Sequence, residues 1–304
     1  MKIILIGGSG LIGRAFAREL VDYHHEVWIL SRNPGGITNE PGVNIRYWDG
    51  RSTDGWLDLV EKVDGLVNLV GESIGTRLWT ITRKRQLLES RLTAGKVMVD
   101  AFNAVAKRPS VLVQASAIGF YGPGDNHAFT EDSPHGHDFL GDMAFLWENS
   151  TRQVEDLGVR RVIIRTGLVL DRHEGILQQF LLQARLFAGG PLGSGRQMIS
   201  WIHIQDHVRA MRFLLEQADA SGAYNLTSPN PVSNADFSRE LARSIHRPYW
   251  FRVPGILLRL VLGEMSTLVL DGQVVLPQRL LVAGFTFTFP GLSEAMKDLF
   301  QGGA

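Results

Sequence analysis

The sequence predicts an α/β protein: a doubly wound parallel sheet with a smaller C-terminal substrate lobe. Three observations predict it. A short apolar run, Ile3 to Ile6, meets glycines at Gly7, Gly10 and Gly13, and an amphipathic run from Leu11 to Val21 follows. Short apolar runs then alternate with helical patterns as far as Leu226, the order that makes a parallel sheet covered by helices. The 304-residue chain is 44% hydrophobic, enough to bury a sizeable core.

The opening stretch reads strand, tight turn, helix. Glycines there let the chain turn sharply and let a diphosphate approach the main chain. The helix start offers free N–H groups and the positive end of its dipole. In this context the triplet predicts a dinucleotide site at Gly7, Gly10, Leu11, Ile12 and Gly13. A second strand, Val27–Ser31, ends in Ser31-Arg32-Asn33-Pro34. Arg32 stands about 20 residues after the last glycine, where an acidic side chain holds the ribose of NAD and an arginine suits the 2′-phosphate of NADP. NADP (NADPH) is therefore the expected cofactor, with Ser31 and Arg32 in its site; the plain alternative is a solvated arginine in a turn. A third strand, Val43–Trp48, leads to Asp49, a partner for the adenine or simply the start of a turn. Gly65–Val70 is a fourth strand, and Val70, Gly71 and Glu72 fall at its C-terminal end, where open parallel sheets bind cofactors.

From Thr82 to Lys107 the apolar residues Leu87, Leu88, Leu92, Val99, Phe102 and Val105 recur at helical spacing. They form a core stripe first, and a subunit interface second. Ser110–Ser116 is the fifth strand, followed by a tight turn at Gly119–Pro123, a polar loop over His127–His137 and a helix over Ala144–Leu157. Arg161–Leu170 is the sixth strand. A helix through Ile176–Phe187 runs into Gly189-Gly190-Pro191-Leu192-Gly193-Ser194-Gly195-Arg196, a loop of close backbone approach. A strand at Trp201–Ile204, a helix at Asp206–Gln217 and the last sheet strand, Ala223–Leu226, come next. A short strand, Tyr249–Val253, the segment Gly284–Phe289 and a closing helix, Leu292–Phe300, complete the chain. Residues 1–228 thus form a nucleotide-binding domain, with 171–199 reaching into a substrate lobe made by 229–304.

Thirty-one basic residues balance 31 acidic ones, so nothing marks a nucleic-acid footprint or a basic membrane surface. The absence of cysteine excludes disulfides, thiolate catalysis and cysteine zinc sites. The four apolar residues after Lys2 are too few for a signal peptide. Ile256–Leu276 is interrupted by Arg259, Glu264 and Asp271 and reads as core helix and loop, not a membrane span. A soluble cytoplasmic protein, monomer or homodimer, acting on a small molecule is expected.

The glycine motif Gly7-Gly8-Ser9-Gly10-Leu11-Ile12-Gly13, Ala115-Ser116-Ala117, Trp201-Ile202-His203-Ile204 with Asp206, and Tyr224-Asn225-Leu226 resemble the extended short-chain dehydrogenase/reductases, which have a Rossmann fold. More narrowly, the chain is similar to the atypical branch called "epimerase family protein". The residues that carry this are Asn68 to Ile74, Ser90-Arg91, Gly119-Phe120-Tyr121-Gly122, Trp147-Glu148, Arg165-Thr166-Gly167 and Gly189 to Gln197, with Leu276-Pro277, Arg279-Leu280 and Ala283-Gly284-Phe285 in the C-terminal extension. The resemblance covers essentially the whole chain and implies an NADP-binding fold.

The larger superfamily uses a tyrosine and, four residues on, a lysine that lowers its pKa. Here Tyr23, Tyr47, Tyr121, Tyr224 and Tyr249 are followed at that spacing by Val27, Arg51, Asp125, Ser228 and Val253. Alignment on Trp147-Glu148 puts Leu140 and Ala144 at the pair's positions, and neither transfers a proton. Loss of a positioned general acid costs ~10²–10⁴-fold in rate. By the resemblance Ser116 matches the catalytic-region serine. Tyr121 is the nearest replacement acid, against a turn tyrosine packed under a loop. Glu72, His137 and Asp142 are weaker candidates. His135-x-His137 and His203-x-x-x-His207 have spacings seen in metal sites, but no metal is expected. The sequence supports an NADP-dependent oxidoreductase or epimerase on a small polar or sugar-like metabolite. The alternative is a non-catalytic NADP(H)-binding sensor or regulatory protein.

Overall fold

A computed structural model of the protein describes residues 1–36, 41–185 and 189–301, without the side chains of Asp125 and Asn126. One sheet holds β1 (Lys2–Ile6), β2 (Glu26–Ser31), β3 (Val43–Tyr47), β4 (Gly65–Asn68), β5 (Val111–Ala117), β6 (Arg160–Thr166) and β7 (Gly222–Leu226). The strands are all parallel and lie in the order β7-β6-β5-β4-β1-β2-β3. The chain winds outward from β1 to β3, then returns to β4 on the other side of β1. The strand ends at such a reversal are where open parallel sheets bind ligands.

The helices used below are α1 (Leu11–Asp22), α2 (Ile81–Ala104), α3 (Phe139–Asn149), α4 (Leu177–Arg185), α5 (Ile204–Glu216), α6 (Asn234–Ser244), α7 (Gly255–Leu262) and α8 (Leu292–Gln301). Alternation along β1 assigns them to the two faces of the sheet. Ile3 and Leu5 pack with Phe16 and Leu20 of α1 and Met211 and Leu215 of α5. Ile4 and Ile6 face the other way, onto Met98 and Phe102 of α2. A third cluster joins Leu177 and Leu181 of α4, Phe237 and Leu241 of α6, and Met296 and Leu299 of α8 around Trp201. The last segment is tied to the sheet by Asp206 in the first turn of α5. Its fully buried carboxylate accepts the backbone N–H groups of Thr288 and Phe289 at 2.8 and 2.7 Å.

The next residue of the same helix, His207, is fully buried, with Nε2 3.0 Å from Thr166 Oγ1 and Nδ1 without a partner among the described residues. Burial lowers its pKa from 6.5 to about 3. Between those values the unfolded chain binds the extra proton, so stability is lost as pH falls below about 6.5. Each pH unit inside the window is worth about 1.4 kcal/mol. Between pH 7 and pH 5 the unfolding free energy in urea is expected to drop by roughly 2 kcal/mol more in wild type than in His207→Gln. Identical pH slopes would show that the imidazole is not held neutral.

Several elements differ from the sequence expectation. The sixth strand breaks at Gly167, and Leu168–Leu170 leaves the sheet to pair with Trp201–His203. The expected loop over His127–His137 begins inside a strand, Gly124–Phe129, which pairs with Gln273–Val275. The helix read as Ala144–Leu157 starts earlier, at Phe139, because Asp138 caps it by accepting from Gly141 N, and a 3-10 turn at Arg152–Leu157 replaces its second half. The helix expected through Phe187 is described as far as Arg185, and Phe187 lies outside the described residues.

The glycine-rich loop makes the close approach expected of it. Trp250 N donates to Gly189 O at 3.0 Å and Val253 N to Pro191 O at 3.1 Å. A Cβ at Gly190 would lie 1.9 Å from Phe251 O. The strand expected at Tyr249–Val253 reduces to a single bridge between Leu192 and Val253. Ile256–Leu276 is not core at its start: α7 contains no buried residue, and Ile256, Leu260 and Val261 are exposed. Apolar content predicts burial only where another element arrives to cover it, and among the described residues none covers the face of Ile256, Leu260 and Val261. Among those residues, no helix is long and apolar enough to cross a membrane.

Candidate functional site

The turn after β1 is shaped for close approach. Gly7 has φ +85°, and a Cβ there would lie 2.9 Å from the Leu69 carbonyl carbon. A Cβ at Gly13 would lie 2.4 Å from Gly7 O, so the third glycine seats α1 against the turn. Gly10 is different: a Cβ would meet only Gly7 O, at 3.6 Å, and the space beside it is left for something other than protein. Gly10 begins α1 without a side-chain cap. The first helical bond runs from Arg14 N to Gly10 O at 2.9 Å, so the amides of Leu11, Ile12 and Gly13 precede the ladder and suit a diphosphate. Arg14 also grips both oxygens of Glu174 at 2.6 Å, holding the segment after Leu170 beside the turn. Nothing in the sequence pattern pointed to that pair.

Ser31 is buried at the end of β2, and its Oγ accepts from Asn33 N at 3.1 Å. Arg32 follows, exposed, its stem passing Gly50. No hydrogen bond or ion pair joins its guanidinium to another described residue. Asp49 starts a turn: its carboxylate accepts from Arg51 N, Ser52 N and Ser52 Oγ at 2.7 to 2.9 Å. Those bonds, the Arg51 amide first, lower its pKa. Of the two readings open for Asp49, the turn is the one its side chain makes.

At the end of β4, Asn68 is fully buried, donates to Gln114 Oε1 at 2.9 Å and accepts from Val70 N at 3.2 Å. Gly71 lies against the guanidinium of Arg91 from α2. The carboxylate of Glu72 pairs with Arg83, and its main-chain oxygen accepts from Arg91 Nη2 at 3.1 Å. Glu72 therefore fastens the loop after β4 to α2 and is not a free base.

Farther along the same edge of the sheet lies a cavity of about 310 Å³, within the range of small-ligand sites. Ala117 and Thr166, at the ends of β5 and β6, line its floor; residues 267–269 and 271–273 contribute from the C-terminal segment. Leu140 and Ala144 both line it. The positions where the resemblance implied a tyrosine and lysine thus meet the cavity, with apolar side chains. Arg91 lines it too; the sequence singled out Ser90-Arg91 only as a mark of resemblance.

Ser116 and Tyr121 sit in a polar core beside the cavity and do not line it. Ser116 Oγ donates to Glu148 Oε1 at 2.7 Å. Arg165 meets both Glu148 oxygens, at 2.8 and 2.9 Å, and also donates to the Tyr121 hydroxyl at 2.9 Å. Tyr121 donates in turn to Asn225 Oδ1 at 2.7 Å. Burial pushes its phenol up to about 12 despite Arg165, a poor value for an acid working near neutral pH. Burial opposes the Arg165 charge, but Glu148 outweighs it and the guanidinium pKa is raised. The signal for this pair was present in the sequence. Glu148 and Arg165 stand in otherwise apolar helix and strand patterns, and buried opposite charges are paired.

The two histidine pairs behave differently. His203 accepts from Gln205 N through Nδ1, 3.2 Å, and its Nε2 lies 3.3 Å from Asp298, while His207 turns to Thr166. His135, His137 and Asp142 do come together, with ligand-type atoms within 4.8 Å of one another. Asp142 lies two residues from both Leu140 and Ala144, so it projects from the opposite side of α3 to the cavity.

Comparison with known proteins agrees with this fold. The NAD dependent epimerase/dehydratase family matches residues 3–140, and a domain of unknown function, DUF1731, matches residues 253–299. Epimerase family protein SH2119 of Staphylococcus haemolyticus is 38% identical over 301 residues, covering 99% of each chain. A crystal structure of human epimerase family protein SDR39U1 with NADPH shares 31% identity, covers 99% of each chain and superposes with a TM-score of 0.87. UDP-glucose 4-epimerase of Thermus thermophilus, solved with NAD, shares the fold at 17% identity, with a TM-score of 0.78 and all of both chains covered. With a seven-stranded parallel sheet of Rossmann type, a glycine turn after β1 and full-length likeness to these relatives, the chain belongs to the epimerase family proteins of the NAD dependent epimerase/dehydratase family.

Proposed function

We propose that the protein binds NADP(H) at the crevice of the sheet and acts as an oxidoreductase or epimerase on a small molecule held in the cavity. The observation that carries this reading is the position of the cavity. It opens at the ends of β5 and β6, on the same edge as the glycine turn, and the C-terminal segment helps enclose it. The residues present fit the cofactor: uncapped α1 amides for a diphosphate, and Arg32, unpaired among the described residues, for a 2′-phosphate. The human relative solved with NADPH supports a nicotinamide cofactor, and Arg32 favours NADP over NAD.

Bound NADPH would supply a hydride. Around the reacting carbon the chain provides a wall that is mostly apolar, from Leu140, Met143, Ala144, Phe180 and Leu268 among others. Thr166 offers a hydroxyl to the cavity, with His207 behind it at 3.0 Å. Ser116, through Glu148 and Arg165, holds the end of β5 in place. A second reading, a non-catalytic NADP(H) sensor, is favoured by one observation: Leu140 and Ala144 face the cavity where a proton donor and its lysine would stand.

NADPH deuterated at C4 separates the two. The enzyme reading expects deuterium to appear by mass spectrometry in one member of a pool of carbonyl metabolites. NADPH binding without transfer, together with a partner protein whose affinity changes with NADPH, would replace it by the sensor.

A further inference from the structure

We propose that Arg91 is the recognition point for an anionic group on the substrate, and that the substrate is an organic carboxylate with an apolar body. This rests on the reading of the cavity as the substrate site.

Arg91 is 6% exposed and lines the cavity. Its guanidinium makes two hydrogen bonds, Nη1 to Leu87 O at 2.8 Å and Nη2 to Glu72 O at 3.1 Å. Both acceptors are neutral main-chain oxygens. Its Nε has no partner, and one N–H on each terminal nitrogen is left over from the five a guanidinium carries. The nearest candidate for a counter-ion, the Glu72 carboxylate, is taken by Arg83. Two carboxylates lie on the wall, Asp138, whose Oδ1 accepts from Gly141 N as the cap of α3, and Asp271, but the charges that act on Arg91 are those of Glu72 and Arg83. The Trp147 ring packs on the guanidinium, 4.7 Å from its carbon, and fixes its plane.

A buried cation without a carboxylate is costly unless something compensates it. A main-chain oxygen pair and one aromatic face compensate part of that. A planar guanidinium with an N–H free on each terminal nitrogen matches a carboxylate. Burial lowers its pKa only to about 10, so it stays charged at neutral pH. The rest of the wall sets the other half of the substrate. Ile74, Met143, Phe180, Leu268 and Val269 make most of the wall apolar, with Thr166, Gln197, Ser200, Asn234 and Gln273 as its polar points and the buried, unpartnered indole N–H of Trp147 as one more donor. The diphosphate belongs to the glycine turn, so the Arg91 charge remains for the substrate.

The test uses 2-naphthoate and its neutral counterpart 2-naphthylmethanol, titrated calorimetrically into the protein with and without NADPH. Naphthoate is expected to bind at least tenfold more tightly than the alcohol. Arg91→Met is expected to remove that preference while NADPH affinity changes less than twofold. Arg91→Lys, which keeps the charge but not the fork, is expected to retain part of it. Equal binding of the two probes to wild type, no naphthoate binding at millimolar concentration, or an undiminished preference in Arg91→Met overturns the proposal. So does a tenfold loss of NADPH affinity in Arg91→Met, which would give the residue to the cofactor. The wild-type comparison needs no variant to fold. Failure of NADPH to bind would remove the oxidoreductase reading while the apo-protein titration still tests Arg91.

Discussion

Arg32→Ala is expected to weaken NADPH binding by roughly 10–100-fold and to leave NADH binding nearly unchanged. A guanidinium–phosphate contact is charge-assisted and contributes about 1.5–3 kcal/mol, and each 1.4 kcal/mol is a factor of ten. The substitution leaves the fold intact, because Arg32 is exposed and makes no hydrogen bond or ion pair with another described residue. Its melting temperature therefore stays close to wild type, so a change in affinity reports on the site. The contact is exposed, and raising salt from 50 to 500 mM narrows the gap between NADPH and NADH. Fluorescence titration with both cofactors on both proteins measures this. Equal affinity of the wild type for NADPH and NADH would remove Arg32 from the site. Binding of neither would move the search to protein partners.

The largest stability effect is expected at Glu148. Its carboxylate holds Arg165 by two bonds and Ser116 by a third, with less than a tenth of either charged side chain exposed. Glu148→Ala leaves the guanidinium buried without a counter-ion, a change that costs about 3–5 kcal/mol. Urea denaturation followed by circular dichroism should show that loss. Glu148→Gln keeps an acceptor for Ser116 and falls between. The double variant Glu148→Met with Arg165→Met should recover much of the loss, because an apolar pair needs no compensation. A single-variant loss below 1 kcal/mol would mean that water reaches Arg165. The consequence is more than stability: Ser116 and Tyr121, at the end of β5 and in the turn after it, are both held through this pair, so the cavity floor depends on it.

Some of this was legible from short windows of sequence. Ile3 to Ile6 followed by Gly7, Gly10 and Gly13 is a complete local instruction. A strand must turn sharply, and the helix that follows must lie close, so the contacts that demand glycine come from within the same stretch. Arg32 was legible for the same reason, as the residue directly after β2. The close approach at Gly189 to Arg196 announced itself by composition. The missing tyrosine–lysine pair could be established by inspecting five tyrosines.

Other features were decided only in three dimensions. Asp49 and Glu72 look alike as acids at strand ends, yet one closes its own turn and the other fastens a loop to α2. Glu148 and Arg165 lie 17 residues apart, and they meet only because β5 and β6 are neighbours in the sheet with α3 packed over them. Apolar α7 is exposed because, among the described residues, no element covers Ile256, Leu260 and Val261. Arg91 comes to line the cavity only when α2, α3 and the C-terminal segment converge. Periodicity and turn chemistry act over a few residues, so the sequence by itself determined the sheet, the glycine turn and the position of Arg32 directly after β2. Which buried charges find partners depends on surfaces brought together across the chain, and only the tertiary structure decided the cavity, its apolar wall and the charge at Arg91.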